Sequence, residues 1–180
     1  MAIGKLLTKK IDINKVLIKK LSSQNLNDLM LLQKEALELY NDEEILRKND
    51  QNMLLECLIN HVTIGLFYKN NLIAFGILFF GEETMENLGI DLGIEKNKLR
   101  EVANIKLIIV KQEFRGNKLQ GLLIKKLIEE SKQKQIKILA ATISPKNNAS
   151  VKNFERAGFK YYTTKNKYNN YPRLVYYLNI

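Results

Sequence analysis

The chain has 180 residues, 46% of them hydrophobic, with two prolines, nine glycines and a net charge of +10. This length and composition fit one domain with a sizeable core, and exclude a disordered tail or a linker-rich chain. One cysteine excludes an internal disulfide, and one histidine beside it leaves a structural zinc site short of ligands.

No stretch approaches about 20 apolar residues. The run from Ala2 to Leu7 is interrupted by Lys5 and is too short for a secretory core. The expectation is a single domain over residues 1–180, with 1–13 as an N-terminal extension, soluble and cytoplasmic, with no membrane contact. Charge is uneven: residues 1–114 hold 15 Lys/Arg and 16 Asp/Glu, whereas residues 115–180 hold 14 and 3. The positive excess lies from Arg115 onward and suits a polyanionic partner; a lysine-rich solvated surface is the plain alternative. Nucleic acid is the disfavoured polyanion, because no run of five basic residues and no recognised nucleic-acid motif occurs.

In chain order, Val16 to Leu21 reads as a strand. Ser22 or Ser23 caps a helix running to about Tyr40, with Leu26, Leu29, Met30, Ala36, Leu37 and Tyr40 along one stripe. Asp42-Glu43-Glu44 turns the chain. Asp50 caps a second helix in which Met53, Leu54, Cys57 and Leu58 share a face. Val62 to Lys69 and Leu72 to Phe80 are strands joined through Asn70-Asn71, since asparagine tolerates positive φ. Residues 81–103 form a long connection with a short helix near Lys96 to Val102, and such connections often serve as lids. Ile105 to Val110 is an apolar strand broken only by Lys106. After Arg115 an amphipathic helix carries Leu119, Leu122, Leu123, Leu127 and Ile128. Ile136 to Ile143 is a buried strand, and Asn147 to Ala157 a helix closed by Gly158. Phe159 to Thr163 and Leu174 to Leu178 are strands around an Asn/Tyr-rich loop. The sum is a mixed α/β fold, a central sheet flanked by helices.

Two segments carry chemistry. In Arg115-Gly116-Asn117-Lys118-Leu119-Gln120-Gly121 a basic turn opens a helix. The first four amides of a helix have no internal partners, and the dipole adds positive charge there. Gly116 lets the backbone approach a ligand, and Arg115 and Lys118 add full charges, which suits a pyrophosphate. Many helix starts contain Arg-Gly, so the turn alone is a weak signal. The second segment runs Asn147-Asn148-Ala149-Ser150, Phe154-Glu155-Arg156, Gly158-Phe159.

Together, in this order and spacing, with Val110 five residues before Arg115, they resemble the GNAT superfamily of acetyl-CoA-dependent N-acetyltransferases over nearly the whole chain. The resemblance implies a GNAT-like fold and acetyl-CoA as cosubstrate. It implies that Arg115, Gly116, Asn117, Lys118, Leu119, Gln120 and Gly121 hold the CoA pyrophosphate. Ile108, Ile109 and Val110 would pair with the pantetheine arm, and Asn147 and Ser150 would line its far side. The acceptor would be an amine of a small molecule or a peptide, attacked directly through a tetrahedral intermediate. An amide near Ile108 or Ile109 would polarise the thioester carbonyl. Dimers are common among such proteins, so a homodimer is compatible.

The catalytic residues stay open. Lys118 stands where a glycine is usual, and its ammonium would bind a phosphate or its bulk crowd one. Phe154 stands where a tyrosine often protonates the leaving thiolate, leaving Tyr161, Tyr162 or water as substitutes. Asn104 stands where a glutamate is common. Glu82 and Glu83 are carboxylates that would face the cleft, or else form an exposed acidic turn. His61 and Cys57 read as structural. Asp42-Glu43-Glu44 would form an acidic rim for a cationic amine, or simply complement a helix start. Arg173 and the loop Tyr168 to Tyr171 would border the same cleft. A silent CoA-binding sensor of the same fold is the alternative, resting on the missing tyrosine and glutamate. A nucleic-acid-associated protein is the third reading, carried by net charge alone.

Overall fold

The computed structural model describes residues 8–82 and 84–180. Its elements are β1 (Leu17–Lys20), α1 (Leu26–Tyr40), α2 (Gln51–Asn60), β2 (Val62–Tyr68), β3 (Asn71–Phe79), β4 (Val102–Val110), α3 (Leu119–Gln133), β5 (Ile138–Ile143), α4 (Asn148–Arg156), β6 (Lys160–Lys167) and β7 (Tyr171–Asn179). Seven strands form one mixed sheet in the order β1-β2-β3-β4-β5-β7-β6. Every neighbouring pair is antiparallel except β4 with β5.

Each face of the sheet buries its own helices. One core joins Leu119, Leu123, Ile124 and Leu127 of α3 and Phe154 of α4 to Ile64, Leu78 and Ile105 of the sheet. The other joins Leu29, Leu32 and Ala36 of α1 and Leu54, Cys57 and Leu58 of α2 to Phe75, Ile77 and Phe79. Each such aliphatic side chain contributes about 1.5–3 kcal/mol on burial. Within β4 the faces exchange midway. Ala103 and Ile105 belong to the first core, Leu107 and Ile109 to the second. The cause is a bulge: Ile77 and Leu78 of β3 oppose Leu107 and Ile105, so Lys106 is the extra residue. That is why Lys106 interrupts an otherwise apolar run.

Caps fall where local chemistry dictates. Asp50 accepts from the Met53 amide (2.8 Å), and Asn147 from the Ser150 amide (3.1 Å). Gly158, with φ of 93°, ends the second of these helices. Residues Ser23–Asn25 form a 3-10 turn ahead of α1, with the Ser22 amide donating to the Asn25 side chain.

Three expectations need correction. The β2–β3 hairpin turns on Lys69 and Asn70, φ of 49° and 65°, and Asn71 already pairs with Tyr68. Positive φ at both central residues is the twist-matched two-residue turn, and it moves the turn back by one. The Asn/Tyr-rich loop is mostly strand, because Tyr168, Asn169 and Asn170 all adopt positive φ and reverse the chain within three residues. Residues 84–101 are not a free lid. Leu88 packs with Val102 and Ala140, and the 3-10 turn Lys96–Glu101 leads directly into β4. Glu83, and residues 1–7 of the N-terminal extension, lie outside the described residues. Among the described residues no helix is long and apolar enough to cross a membrane.

Candidate active site

Parallel pairing of β4 and β5 covers only Val102–Asn104 against Ile138–Ala140. Both strands continue, β4 to Val110 and β5 to Ile143, without pairing each other further. They part next to the Lys106 bulge, where the extra residue bends β4. The gap opens into a cavity of about 960 Å³, lined by β4, β5, the turn before α3 and the start of α4.

The open edge of β4 is defined by its hydrogen bonds. The Lys111 amide donates to Ile73 of β3 (2.8 Å). Peptide groups alternate sides along a strand, so Ile109 also faces β3 while Ile108 and Val110 turn theirs to the cavity. Arg115 Nε donating to the Val110 carbonyl at 3.4 Å agrees with that orientation. Ile109 lines the cavity, yet its peptide is committed to the sheet.

Beyond β4 the chain makes a 3-10 turn, Gln112–Phe114, and passes through two left-handed residues, Gly116 (φ 81°) and Lys118 (φ 59°). The first α3 bond runs from the Leu122 amide to the Lys118 carbonyl. Consequently the six consecutive amides of residues 116–121 donate to no acceptor among the described residues. A Cβ built on Gly116 or Gly121 meets nothing within 4 Å, so the space beside this turn is open. Arg115, Gly116, Lys118, Leu119 and Gln120 line the cavity. Asn117 and Gly121, expected among them, do not. The Asn117 side chain is spent holding the turn to the N-terminal segment: it donates to the carbonyls of Lys9 (2.7 Å) and Phe114 (2.9 Å) and accepts from Ile11 (3.2 Å).

Asn147 and Ser150 line the opposite wall. Ser150 Oγ accepts from Gln120 (2.9 Å), whose carbonyl accepts from Asn153 (2.7 Å), so the starts of α3 and α4 are laced together. Lys152 and Arg156 of α4 also line the cavity. They are cations that motif spacing passed over, although their helical positions after Asn147 mark them. With Arg115 and Lys118 they make this end of the cavity strongly positive, as an anionic ligand requires.

The other end holds Glu86, which the sequence reading missed, together with Tyr168 and Arg173, which it expected to border this cleft. Glu86 is the one carboxylate lining the cavity among the described residues. Its Oε2 pairs with Lys106 Nζ (2.7 Å), and its carbonyl accepts from Asn104 Nδ2 (2.7 Å). Asn104 therefore brings a glutamate to its own side instead of replacing one. Tyr168 reaches in from the β6–β7 turn with its hydroxyl 3.4 Å from Thr142 Oγ1 of β5. Its ring lies against the guanidiniums of Arg47 (4.7 Å) and Arg173 (5.7 Å).

Several expected candidates fall outside. Tyr161 and Tyr162 are exposed on β6, away from the cavity lining, because both faces of this edge strand lie largely in solvent and its register breaks between Tyr161 and Thr163. Phe154 lines the cavity but is buried edge-on against Phe159 at 5.0 Å. Glu82 is exposed and does not line this cavity. The acidic rim is partly committed: the one ammonium of Lys146 is shared by Asp42 (3.2 Å) and Glu44 (2.6 Å), and it holds the Asp42 carboxyl below its ordinary range. His61 accepts from the Phe80 amide (3.1 Å) against Phe79, and burial depresses its pKa. Burial pushes the Cys57 thiol up to about 11, so it stays protonated and unreactive at neutral pH.

A mixed sheet split between two parallel strands, with amides at a helix start in the split that find no acceptor among the described residues, is an arrangement suited to an extended, anionic-ended ligand. The sequence profile of the Acetyltransferase (GNAT) family matches residues 27–159, and the chain belongs to that family. Solved structures share its fold. A ribosomal-protein-alanine N-acetyltransferase from Brucella melitensis superposes with a TM-score of 0.72 at 18% identity, covering 91% of this chain and 99% of that one. PaiA N-acetyltransferase from Thermoplasma acidophilum, solved with coenzyme A, gives 0.66 at 17% identity, covering 92% of this chain and 99% of that one. YncA from Salmonella typhimurium, solved with acetyl-CoA, gives 0.69 at 15% identity, covering 92% and 94%. No curated protein sequence matches the chain.

Proposed function

We propose that this chain is an N-acetyltransferase that moves the acetyl group of acetyl-CoA to a primary amine of a small molecule or peptide by direct attack. One observation carries the reading: six amides at residues 116–121 that find no acceptor among the described residues stand beside a split in the sheet where β4 and β5 no longer pair. The cavity's positive end and the open space at Gly116 fit a diphosphate. The amides of Gly116, Lys118, Leu119 and Gln120 hold it, with Asn117 positioning the turn. Ile108 and Val110 pair with the pantetheine arm, and Asn147 and Ser150 border it.

Acetyl-CoA supplies an activated acyl group on a good leaving thiolate. Ile108 N–H donates to the carbonyl oxygen as charge develops on it. Glu86, directly or through a water, takes the proton of the attacking amine as the N–C bond forms. Tyr168 gives its hydroxyl proton to sulfur as the C–S bond breaks, filling the role that Phe154 has no proton for. Between turnovers Glu86 releases the amine's proton to solvent and Tyr168 takes one back, so both groups return to their starting forms. Because both acid–base groups are supplied, the silent-sensor alternative loses the absences that motivated it.

Thiol release from acetyl-CoA with a panel of amines tests the reading. Turnover is expected; a thermal shift with CoA but no release with any amine would favour the sensor. Lys118→Gly is expected to relieve a left-handed lysine, raising stability by about 1 kcal/mol and Tm by roughly 2–4 °C. The same change should weaken CoA binding about three- to tenfold through loss of an ammonium. Paired melting curves and titrations read both effects, and unchanged affinity would remove Lys118 from the phosphate site.

A further inference from the structure

At the end of the cavity away from α3 stand two guanidiniums, Arg47 and Arg173, that form no ion pair with a carboxylate among the described residues. Arg173 is only 4% exposed. Its donors go to the backbone carbonyls of Glu44 and Glu43, the latter at 3.5 Å, which are neutral acceptors. A guanidinium has five N–H donors, so these two bonds leave others unused. Arg47 sits on the opposite side of the chain's fold-back, in the α1–α2 connection, with its guanidinium over the Tyr168 ring. Neither arginine has a carboxylate within 4.0 Å among the described residues.

The acids nearby are committed elsewhere. Asp42 and Glu44 pair with Lys146, Asp91 pairs with Lys165 and Lys167, and Glu86 pairs with Lys106. Glu44 and Asp42 attract the Arg173 guanidinium only from beyond ion-pair distance, and a buried charge without a direct partner is costly to keep. Burial accordingly draws the Arg173 pKa down. This end is separate from the cations Arg115, Lys118, Lys152 and Arg156, which the diphosphate occupies in the reading above. A cationic amine such as a polyamine would meet repulsion here, whereas an acidic group would complete the pair.

We propose that the acceptor is a compact amine bearing a carboxylate, an amino acid or a close analogue, whose carboxylate is received by Arg47 and Arg173 beside Tyr168. The carboxylate fixes the molecule's orientation, and the amine then lies toward Glu86 and the split between β4 and β5. Arg47 is the specificity-determining residue, since its guanidinium is exposed and adjustable, while Arg173 is locked to the Glu43–Glu44 backbone. This rests on the acyl-transfer reading.

The test follows thiol release from acetyl-CoA with three matched sets: α-amino acids, their carboxamides, and the corresponding decarboxylated amines. A fourth set, peptides beginning with aspartate or glutamate against peptides beginning with alanine, separates a free amino acid from a chain end carrying the same group. The expected result is a kcat/KM preference of roughly 10- to 100-fold for the carboxylate over its carboxamide. Arg47→Gln should shrink that preference to a few-fold, and Arg47→Lys should retain part of it. CoA affinity measured in parallel reports that each variant is folded. Equal or faster turnover of carboxamides, decarboxylated amines or polyamines overturns this inference and leaves acetyl transfer standing. Absence of release with every amine, while CoA still binds, overturns acetyl transfer itself and this inference with it.

Discussion

Gly116→Asp is expected to weaken CoA binding by roughly 100-fold or more while leaving the fold intact. Gly116 has a φ of 81°, and a Cβ added there meets nothing within 4 Å. Aspartate enters the left-handed region more readily than most residues, so the backbone accommodates it. What changes is charge. A carboxylate placed beside the amides of residues 116–121 neutralises their partial positive charge and repels phosphate. At about 4 Å and an effective dielectric near 20, each unit charge contributes about 4 kcal/mol of repulsion before screening. Salt and solvent reduce this, and a net loss of about 3 kcal/mol corresponds to the stated factor. Gly116→Asn carries the same shape without the charge and should cost only a few-fold. Isothermal titration of both variants separates charge from geometry. Equal CoA affinity in wild type and Gly116→Asp would place the diphosphate elsewhere. Phe154→Tyr should alter CoA affinity far less, since that ring packs against Phe159 and not against the turn.

Glu86→Gln is expected to lower kcat by about 100- to 1,000-fold, with little change in the KM for acetyl-CoA. General bases contribute roughly 10²- to 10⁴-fold, and a glutamine of the same shape cannot accept the proton. The glutamate is fixed at two points: Lys106 binds its carboxylate, and Asn104 binds its carbonyl. Asn104 also accepts from the Leu88 amide (3.1 Å), so it anchors the whole segment that delivers Glu86. Asn104→Ala should therefore lower kcat by a smaller factor and lower stability as well, whereas Glu86→Gln should leave stability nearly unchanged. Steady-state kinetics with one saturating amine and a melting curve for each variant distinguish the two. A Glu86→Gln enzyme with full kcat would assign the base to another group.

The turn at residues 115–121 was legible because its information is local. Gly116 and the helix pattern from Leu119 lie within one short stretch, and the unpaired amides follow from the way any helix begins. The caps at Asp50 and Asn147 and the stop at Gly158 are equally local, since each acts within three or four residues. Lys118 was recognisable as a departure but not as a left-handed residue, because its φ follows from how the chain leaves the Gln112–Phe114 turn. The reading went wrong wherever the answer lay far along the chain. The Asp42–Glu44 cluster looked free until Lys146, 104 residues beyond Asp42, came to rest on it. Asn104 looked like a lost glutamate until the fold returned Glu86 to its side.

The amino-acid order alone determined the succession of strands and helices, the anion-binding helix start and the family, because periodicity, capping and turn chemistry act between near neighbours. Only the tertiary structure decided which residues meet in the cavity. Pairing in the sheet produced the bulge at Lys106 and the split beside it, and the packing of the β6–β7 turn carried Tyr168 and Arg173 to Arg47. Arg173 and the Glu43 carbonyl that it also meets lie 130 positions apart, and contact over such distances is set by which strands pair and which faces bury, which no local pattern encodes.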